Sequence, residues 1–268
     1  MISAQQYGPW AVVTGGGEGT GRSFARELGK AGINLLLVAR RDGPLNETAD
    51  TIRAESGVEV RTLALDLSRP DMLDRIREAT DALEVGTLVS NVGHTYGAGP
   101  FVEWSQEDIL QTIRLGPICH ATLSQHFGRK MAERGRGGIV LVGSMAGNAG
   151  GATIVLYSAG KAFAQNLAEG MWAELKPKGV DVVYVVLGAT DTPVRAALNI
   201  QDSPDVFIDN PDDVARDTLA QITEGPVLVR PQLEEAVKMF QSLPRRQAAE
   251  AMRDMMMGFQ PAEATQDA

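Results

Sequence analysis

At positions 14 to 21 the chain has the sequence Thr14-Gly15-Gly16-Gly17-Glu18-Gly19-Thr20-Gly21. This stretch directly follows an apolar run at 10–14, and a helical pattern opens behind it. Glycine permits a steep turn and lets backbone N–H groups approach a pyrophosphate at the positive end of a helix. A glycine cluster alone is weak evidence, but its position between a first strand and a first helix predicts a dinucleotide-binding turn.

Short, often continuous apolar runs on either side of this turn are typical of strands buried on both faces. The predicted strands are 10–14, 33–39, 58–65, 87–89, 139–142, 180–187 and 227–229. Helical patterns lie between them at 21–31, 45–55, 72–79, 106–131, 155–175 and 212–223. This alternation predicts a Rossmann-type α/β fold, a doubly wound parallel seven-stranded sheet with helices on both faces. A ligand is expected beyond the carboxyl ends of the strands.

The chain of 268 residues is long enough for one large core and has no visible linker. We therefore predict a single domain over residues 1–260. The pattern loosens at about 195–212, which predicts a flexible substrate flap. The small, polar segment 261–268 predicts a disordered tail.

Composition excludes several classes of function. The net charge of −9 leaves no basic surface for nucleic acid, and the basic cluster at 129–136 resembles a solvated helix end. The single cysteine, Cys119, and the three histidines lack metal-ligand spacing, so no metal site is expected. Neither a signal peptide nor a membrane span is recognisable. We expect a cytoplasmic protein without a membrane or nucleic-acid partner.

A second motif lies on the helix predicted at 155–175. Tyr157 and Lys161 stand one helical turn apart and share a face of that helix. A free tyrosine is a poor acid or base at neutral pH, but a neighbouring ammonium stabilises the phenolate and lowers its pKa. The pair is a candidate for proton transfer, although such pairs are frequent on exposed helices.

The glycine spacing T-G-x-x-x-G-x-G, with Gly15, Gly19 and Gly21, differs from G-x-G-x-x-G and resembles the short-chain dehydrogenase/reductase family. Ser144, Tyr157 and Lys161 match that family's active-site residues. The resemblance implies that Ser144 binds the substrate oxygen, Tyr157 gives or takes its proton, and Lys161 also binds the nicotinamide ribose. It covers residues 8–230 approximately.

Other landmarks of the family follow in order along the chain. Asp66, with Leu67 beside it, matches the residue that meets the adenine ring. Asn91 matches an asparagine that stabilises the sheet, and the adjoining backbone of Val92 and Gly93 would run along the ribose. The remaining cofactor contacts implied by the resemblance are Thr14, Gly15, Gly17, Glu18, Gly19, Thr20, Gly21, Gly188, Ala189, Thr190 and Thr192.

One position departs from the family pattern. The family places an asparagine on the long helix, where it helps to hold a water chain that leads from the lysine to solvent, but this chain has Ile113. Neither Ile113 nor the adjoining Arg114 can do the same job as the asparagine. A nearby polar side chain or the backbone alone would have to do so, and we expect activity to survive the change.

The second strand ends at Arg40 and Arg41 rather than at the carboxylate typical of NAD-binding folds. A guanidinium pairs with a 2′-phosphate, whereas a carboxylate repels it, so NADP(H) is favoured over NAD(H). Asp42 follows immediately, and Glu18 stands where NADP-preferring relatives often carry a basic residue. The alternative is that both arginines only solvate a strand end.

The motif sequences are most similar to the branch that holds hydroxysteroid dehydrogenases and long-chain 3-oxoacyl-CoA reductases. The favoured activity is therefore oxidation or reduction of a lipophilic secondary alcohol or ketone, and a steroid is the favoured substrate class. Two alternatives are a 3-oxoacyl thioester reductase, whose carrier-protein form would need the basic cluster 129–136, and a non-catalytic NADP-sensing regulator. The resemblance also implies a homodimer or homotetramer.

Several residues have no role assigned by these motifs. His94 follows the Asn91-Val92-Gly93 landmark and is more often structural than functional at such a place. His120, His126 and Cys119 fall on the long helix, where burial or a helix interface is expected. An apolar C-terminal patch suits the core, a subunit interface or an adaptable lipophilic pocket, and comprises Met252, Met255, Met256, Met257 and Phe259.

Overall fold

The computed structural model describes residues 2–93, 100–197 and 206–257. His94, Phe259, the tail at 261–268 and much of the flap at 195–212 lie outside these ranges, as does the Met257 side chain. The predictions made for them stay predictions.

The described chain is built on a sheet of seven parallel strands in the order β3-β2-β1-β4-β5-β6-β7. They are β1 (Trp10–Thr14), β2 (Asn34–Ala39), β3 (Val60–Ala64), β4 (Val85–Ser90), β5 (Gly137–Val142), β6 (Val180–Val186) and β7 (Val227–Val229). Strand order reverses between β1 and β4, which leaves a crevice at their carboxyl ends. The predicted fold class is confirmed.

Helices cover both faces of this sheet. They are α1 (Ala4–Tyr7), α2 (Gly19–Lys30), α3 (Asp42–Ser56), α4 (Met72–Thr80), α5 (Gln106–Ile113), α6 (Cys119–Arg134), α7 (Val155–Leu175), α8 (Pro193–Ala197), α9 (Pro211–Ala220), α10 (Glu234–Ser242) and α11 (Arg245–Met257). Val12 and Val13 of β1 belong to two different core clusters, one on each face, as expected of a strand buried on both sides. Within the described ranges, no helix combines the length and apolarity needed to cross a bilayer.

The helix predicted at 106–131 is not continuous. Between α5 and α6 the segment Arg114–Ile118 forms a wider π-helical turn that contains Pro117. Proline has no backbone N–H and cannot make the regular helical hydrogen bond, which accounts for a break at this place. Hydrophobic periodicity depends on side chains and carries no information about a missing backbone N–H. The sequence pattern therefore predicts one continuous helix across this break.

The apolar C-terminal patch belongs to α11, a helix that the sequence pattern does not predict. Met252 is fully buried and belongs to the same core cluster as α6 and α7. Met255 and Met256 pack on the edge of that cluster. Of the three roles open at the sequence level, core packing applies to Met252.

The basic cluster at 129–136 is not simply a solvated helix end. Arg134 donates a hydrogen bond to the Val85 carbonyl at 2.5 Å, and Arg136 pairs with Glu84. Both contacts lie at the amino end of β4. The cluster is therefore at the opposite edge of the sheet from the carboxyl ends, where a ligand is expected.

Candidate active site

A pocket of about 830 Å³ opens at the carboxyl ends of the strands. This volume is within the range of ligand sites in proteins. The predicted site residues on its wall are Gly15, Gly17, Glu18, Gly19, Thr20, Arg40, Arg41, Leu67, Asn91, Val92, Gly93, Ser144, Tyr157, Lys161, Gly188, Ala189, Thr190 and Thr192. Residues far apart in sequence are thus brought to one place.

Three predicted contacts, Thr14, Gly21 and Asp66, are not on this wall. Thr14 ties two strand ends together, since its hydroxyl donates to the Val89 carbonyl at 3.3 Å and accepts from the Asn91 amide at 3.0 Å. The Asp66 carboxylate accepts from the amide and the hydroxyl of Ser68 at 2.9 and 2.7 Å. Both hydrogen bonds go to Oδ1, and the expected adenine contact of Asp66 stays a prediction.

The glycine turn has no room for side chains. A Cβ at Gly21 would lie 2.1 Å from the Gly15 carbonyl oxygen and 2.7 Å from Asn91 Nδ2. Gly15 has φ +64°, and a Cβ there would lie 2.6 Å from the Asn91 carbonyl oxygen. Asn91 therefore packs into the turn from behind, and the backbone at the start of α2 is left open toward the pocket. This arrangement suits a pyrophosphate, and the pocket volume suits a dinucleotide.

The two arginines after β2 are not equivalent. Arg41 forms an ion pair with Glu18 across the glycine turn. Arg40 is exposed, lines the pocket, and has no ion pair or hydrogen bond with any residue of the described ranges. An arriving anionic group therefore meets one unpaired guanidinium and a second one that is already neutralised by a carboxylate.

Ser144, Tyr157 and Lys161 form the polar end of the pocket. Ser144 caps the short helix after β5, where its hydroxyl accepts from the Ala146 amide at 3.2 Å and also hydrogen-bonds to Tyr157. Lys161 Nζ lies 5.6 Å from the centre of the Tyr157 ring. It donates to the carbonyl oxygens of Val92 at 3.0 Å and Val142 at 2.7 Å, which uses two of its three N–H groups.

Burial decides the protonation of this pair. It raises the pKa of Tyr157, and the hydrogen bond from Ser144 only partly opposes the rise. It also lowers the pKa of Lys161 to about 8. The lowering of the Tyr157 pKa expected from the lysine is therefore not seen, because Nζ is directed at two carbonyl groups and its own charge is disfavoured by burial.

The hydroxyl of Tyr184 contacts the backbone of both Ser144 and Lys161. No sequence motif indicates this role. The hydroxyl accepts from the Ser144 amide at 3.1 Å and donates to the Lys161 carbonyl at 3.2 Å. It therefore joins the end of β5 to α7. The only signal in the sequence is an aromatic residue in the otherwise aliphatic and acidic strand Val180–Val186.

A buried ion pair fixes the loop after β6, again without a sequence motif. Arg230 donates to both carboxylate oxygens of Asp209, at 2.9 and 3.0 Å. The Asp209 amide donates to the Ala189 carbonyl at 2.8 Å, and its carbonyl accepts from the Asp191 amide at 3.0 Å. The backbone at 188–190 is thereby held against the pocket.

The rest of the wall is largely apolar. It comes from residues next to Ser144 and Tyr157, from the described ends of the flap, and from the last helices. These residues are Met145, Ile154, Val194, Val206, Phe207, Leu233, Ala236, Met255 and Met256. No group of suitable metal ligands occurs within the described ranges.

Comparison with known proteins gives one family. The family model described as short chain dehydrogenase matches residues 9–203. The very-long-chain 3-oxoacyl-CoA reductase of Mus musculus is 35% identical over 184 residues, which are 68% of this chain and 59% of the reductase. The 7β-hydroxysteroid dehydrogenase of Clostridium sardiniense is 32% identical over 223 residues, 83% of this chain and 85% of the relative.

Two solved structures extend the comparison. A short-chain dehydrogenase from Sphingobium yanoikuyae in complex with NADPH has 30% identity and a TM-score of 0.77, covering 96% of this chain and 99% of its own. A structure from work on 7β-hydroxysteroid dehydrogenase stereoselectivity has a TM-score of 0.88 over 94% of this chain and 99% of that one. Its identity is 24%, so it bears on the fold alone.

Proposed function

Because this chain belongs to the short-chain dehydrogenase/reductase family, we propose that it is an NADP(H)-dependent oxidoreductase of a bulky, lipophilic secondary alcohol or ketone. A hydroxysteroid is the leading substrate class. The observation that carries the proposal is the convergence of Ser144, Tyr157 and Lys161 at the polar end of an otherwise apolar pocket.

In reduction, the Tyr157 hydroxyl donates its proton to the carbonyl oxygen of the substrate, and Ser144 hydrogen-bonds to that oxygen. The nicotinamide, when bound, supplies the hydride to the carbonyl carbon. The substrate oxygen thereby becomes an alcohol hydroxyl, and Tyr157 becomes a phenolate, which Lys161 stabilises. In oxidation Tyr157 removes the same proton. The glycine turn, Arg40 and the backbone at 188–190 would hold the cofactor.

Arg40 supports NADP(H) as the preferred cofactor. We expect Arg40→Ala to raise the KM for NADPH about tenfold and to leave the KM for NADH nearly unchanged, because only NADPH carries the 2′-phosphate. Glu18→Gln should lower the KM for NADPH several-fold by releasing Arg41 from its ion pair. Steady-state kinetics with both cofactors measure these changes.

Lys30→Ala is the matched control, since it removes a cation from the far end of α2, where Lys30 pairs with Glu27. An unchanged ratio of NADPH to NADH efficiency in Arg40→Ala would mean that the arginines only solvate the end of β2.

Tyr184 is proposed to act as a positioning residue for Ser144. Tyr184→Phe keeps the ring that fills the core and removes the hydroxyl that joins Ser144 to α7. We expect kcat to fall about tenfold, the equivalent of one lost hydrogen bond, while the KM for cofactor stays the same. A parallel loss of cofactor affinity would point to a general disturbance of the fold instead.

The substrate proposal rests on the apolar wall and on the relatives' names. A panel of ketosteroids, aliphatic ketones and 3-oxoacyl thioesters, assayed separately with NADPH and NADH, tests it. If the enzyme reduced only the short aliphatic ketones of this panel, the proposal of a bulky substrate would be wrong.

A 3-oxoacyl thioester is the second candidate, because a long acyl chain also suits an apolar wall and the mouse relative is named for such a substrate. The carrier-protein form of this proposal is weaker, since the cluster at 129–136 contacts the amino end of β4, away from the pocket. A coenzyme A thioester needs no such patch. The regulatory alternative is disfavoured by the presence of both Tyr157 and Lys161.

Self-association is also proposed. Exposed apolar side chains lie on and beside the helices α6 and α7, among them Ile118, Val155 and Phe163. A second copy of the chain would cover them, as the family resemblance implies. Sedimentation velocity would distinguish a monomer, a dimer and a tetramer.

A further inference from the structure

A buried histidine lies behind the catalytic lysine. His120 is the second residue of α6 and is 1% exposed. Its Nδ1 lies 2.9 Å from the Ser90 hydroxyl oxygen. Its Nε2 is buried and has no hydrogen-bond partner among the described residues. A buried polar atom without a partner is costly, and an ordered water is the usual remedy.

A second, small cavity adjoins this histidine. Its volume is about 10 Å³, close to the space that one water molecule needs. The wall includes Thr112, His120, Tyr157 and Lys161, so its lining is polar where a water would need partners. Lys161 has one N–H that is not donated to a carbonyl.

The π-helical turn creates the space. Gly116 and Pro117 of this turn form another part of the cavity wall. A Cβ added at Gly116 would meet no atom within 4 Å, so a small gap faces that position. Thr112, on the cavity wall, directly precedes Ile113, the position at which the family resemblance expects the water-holding asparagine.

We infer that this cavity holds one water molecule between His120 Nε2 and Lys161 Nζ, and that His120 replaces the missing asparagine as the residue that positions it. The inference rests on the proposed oxidoreductase function. The inference requires the tautomer with its proton on Nδ1, which then donates to Ser90. Nε2 accepts from the water in that tautomer, and the water accepts from Lys161. After Tyr157 has given its proton to the substrate oxygen, Lys161 passes one to the phenolate, the water passes one to Lys161, and bulk solvent returns one to the hydroxide that is left.

The charge state of His120 agrees with an acceptor at Nε2. Burial, and next the positive charge of Lys161, lower its pKa to about 3, while the Val92 carbonyl opposes the change. The imidazole is therefore neutral at any pH at which the enzyme would work. A neutral ring has one donor and one acceptor, which matches Ser90 on one side and water on the other.

Three variants test the inference. His120→Leu removes the acceptor, Gly116→Ala fills the gap without a clash, and His120→Gln restores a polar group. We expect the first two to lower kcat about tenfold, to shift the pH profile of kcat, and to enlarge the solvent isotope effect in D₂O. His120→Gln should recover part of the loss. His126→Leu is the matched control, because His126 is also buried on α6 with an unpartnered Nε2 but does not line the cavity.

A high-resolution crystal structure gives a readout that needs no turnover. We expect density for one water between His120 and Lys161 in the wild type and none in Gly116→Ala. An empty cavity in the wild type would overturn the inference, as would a pH profile and isotope effect unchanged in His120→Leu. A protein with the water but without activity on any substrate would contradict the proposed function and leave the water site standing.

Discussion

Tyr157→Phe is expected to reduce kcat/KM by about 10³-fold or more, since it removes the group proposed to exchange a proton with the substrate oxygen. The phenylalanine keeps the ring, so the apolar contacts of α7 remain. Ser144 stays in place through its contacts with Ala146 and Tyr184. Cofactor affinity, measured by fluorescence titration with NADPH, should change little.

Tyr7→Phe is the control for this substitution. The Tyr7 hydroxyl donates to Asp181 at 2.7 Å, near the amino ends of the strands and away from the pocket. Its loss should affect stability and leave kcat unchanged. If Tyr157→Phe retained a tenth or more of the wild-type rate, proton transfer would have to come from another group, and the proposed mechanism would be wrong.

Lys161→Met is expected to abolish turnover and to change how stability depends on pH. Burial lowers the pKa of Lys161 from its ordinary 10.5 to about 8. Below pH 8 both the folded and the unfolded lysine are charged, so the folded state bears the full cost of burying the ammonium. As the pH rises from 8 to 10.5, only the folded lysine loses its proton, and the free-energy cost of burying its ammonium disappears. The variant has no such group.

The free energy of unfolding of the wild type, relative to the variant, should therefore increase by about 2 to 3 kcal/mol between about pH 7 and about pH 10. Urea unfolding of both proteins at the two pH values measures this difference, and the other titrating groups cancel in it. An unchanged difference would mean that the lysine keeps an ordinary pKa in the folded protein.

The sequence was sufficient for the sheet because each strand is an apolar run bounded by turns or helical patterns. The glycine turn could also be predicted from the sequence. The close approach of Gly15, Gly21 and Asn91 leaves no room for a side chain at the two glycine positions. Lys161 and Tyr157 followed from their spacing on one helix. The strands can be recognised from their local apolar pattern. The glycine turn and the Tyr157/Lys161 pair can be recognised because each forms a short motif of fixed residue types and spacing.

Features that depend on a three-dimensional neighbour were missed. Nothing near Tyr184 in the chain indicates that its hydroxyl joins two segments of the site, and nothing near Glu18 indicates its pairing with Arg41. Nothing near Asp66 in the chain indicates that its Oδ1 accepts two hydrogen bonds from Ser68. The break at Pro117 was overlooked because the apolar spacing of a helix says little about its backbone hydrogen bonds.

Different segments of the chain supply the polar end and the apolar wall of the pocket. The residues proposed for proton transfer and the glycine turn all precede residue 193, whereas Met255 and Met256 come from the last helix of the described ranges. Met252 anchors that helix in the core. Part of the apolar wall is thus supplied by α11, a helix that contains none of the residues proposed for proton transfer. Exchanging α11 between relatives would therefore change this part of the wall and leave Ser144, Tyr157 and Lys161 in place.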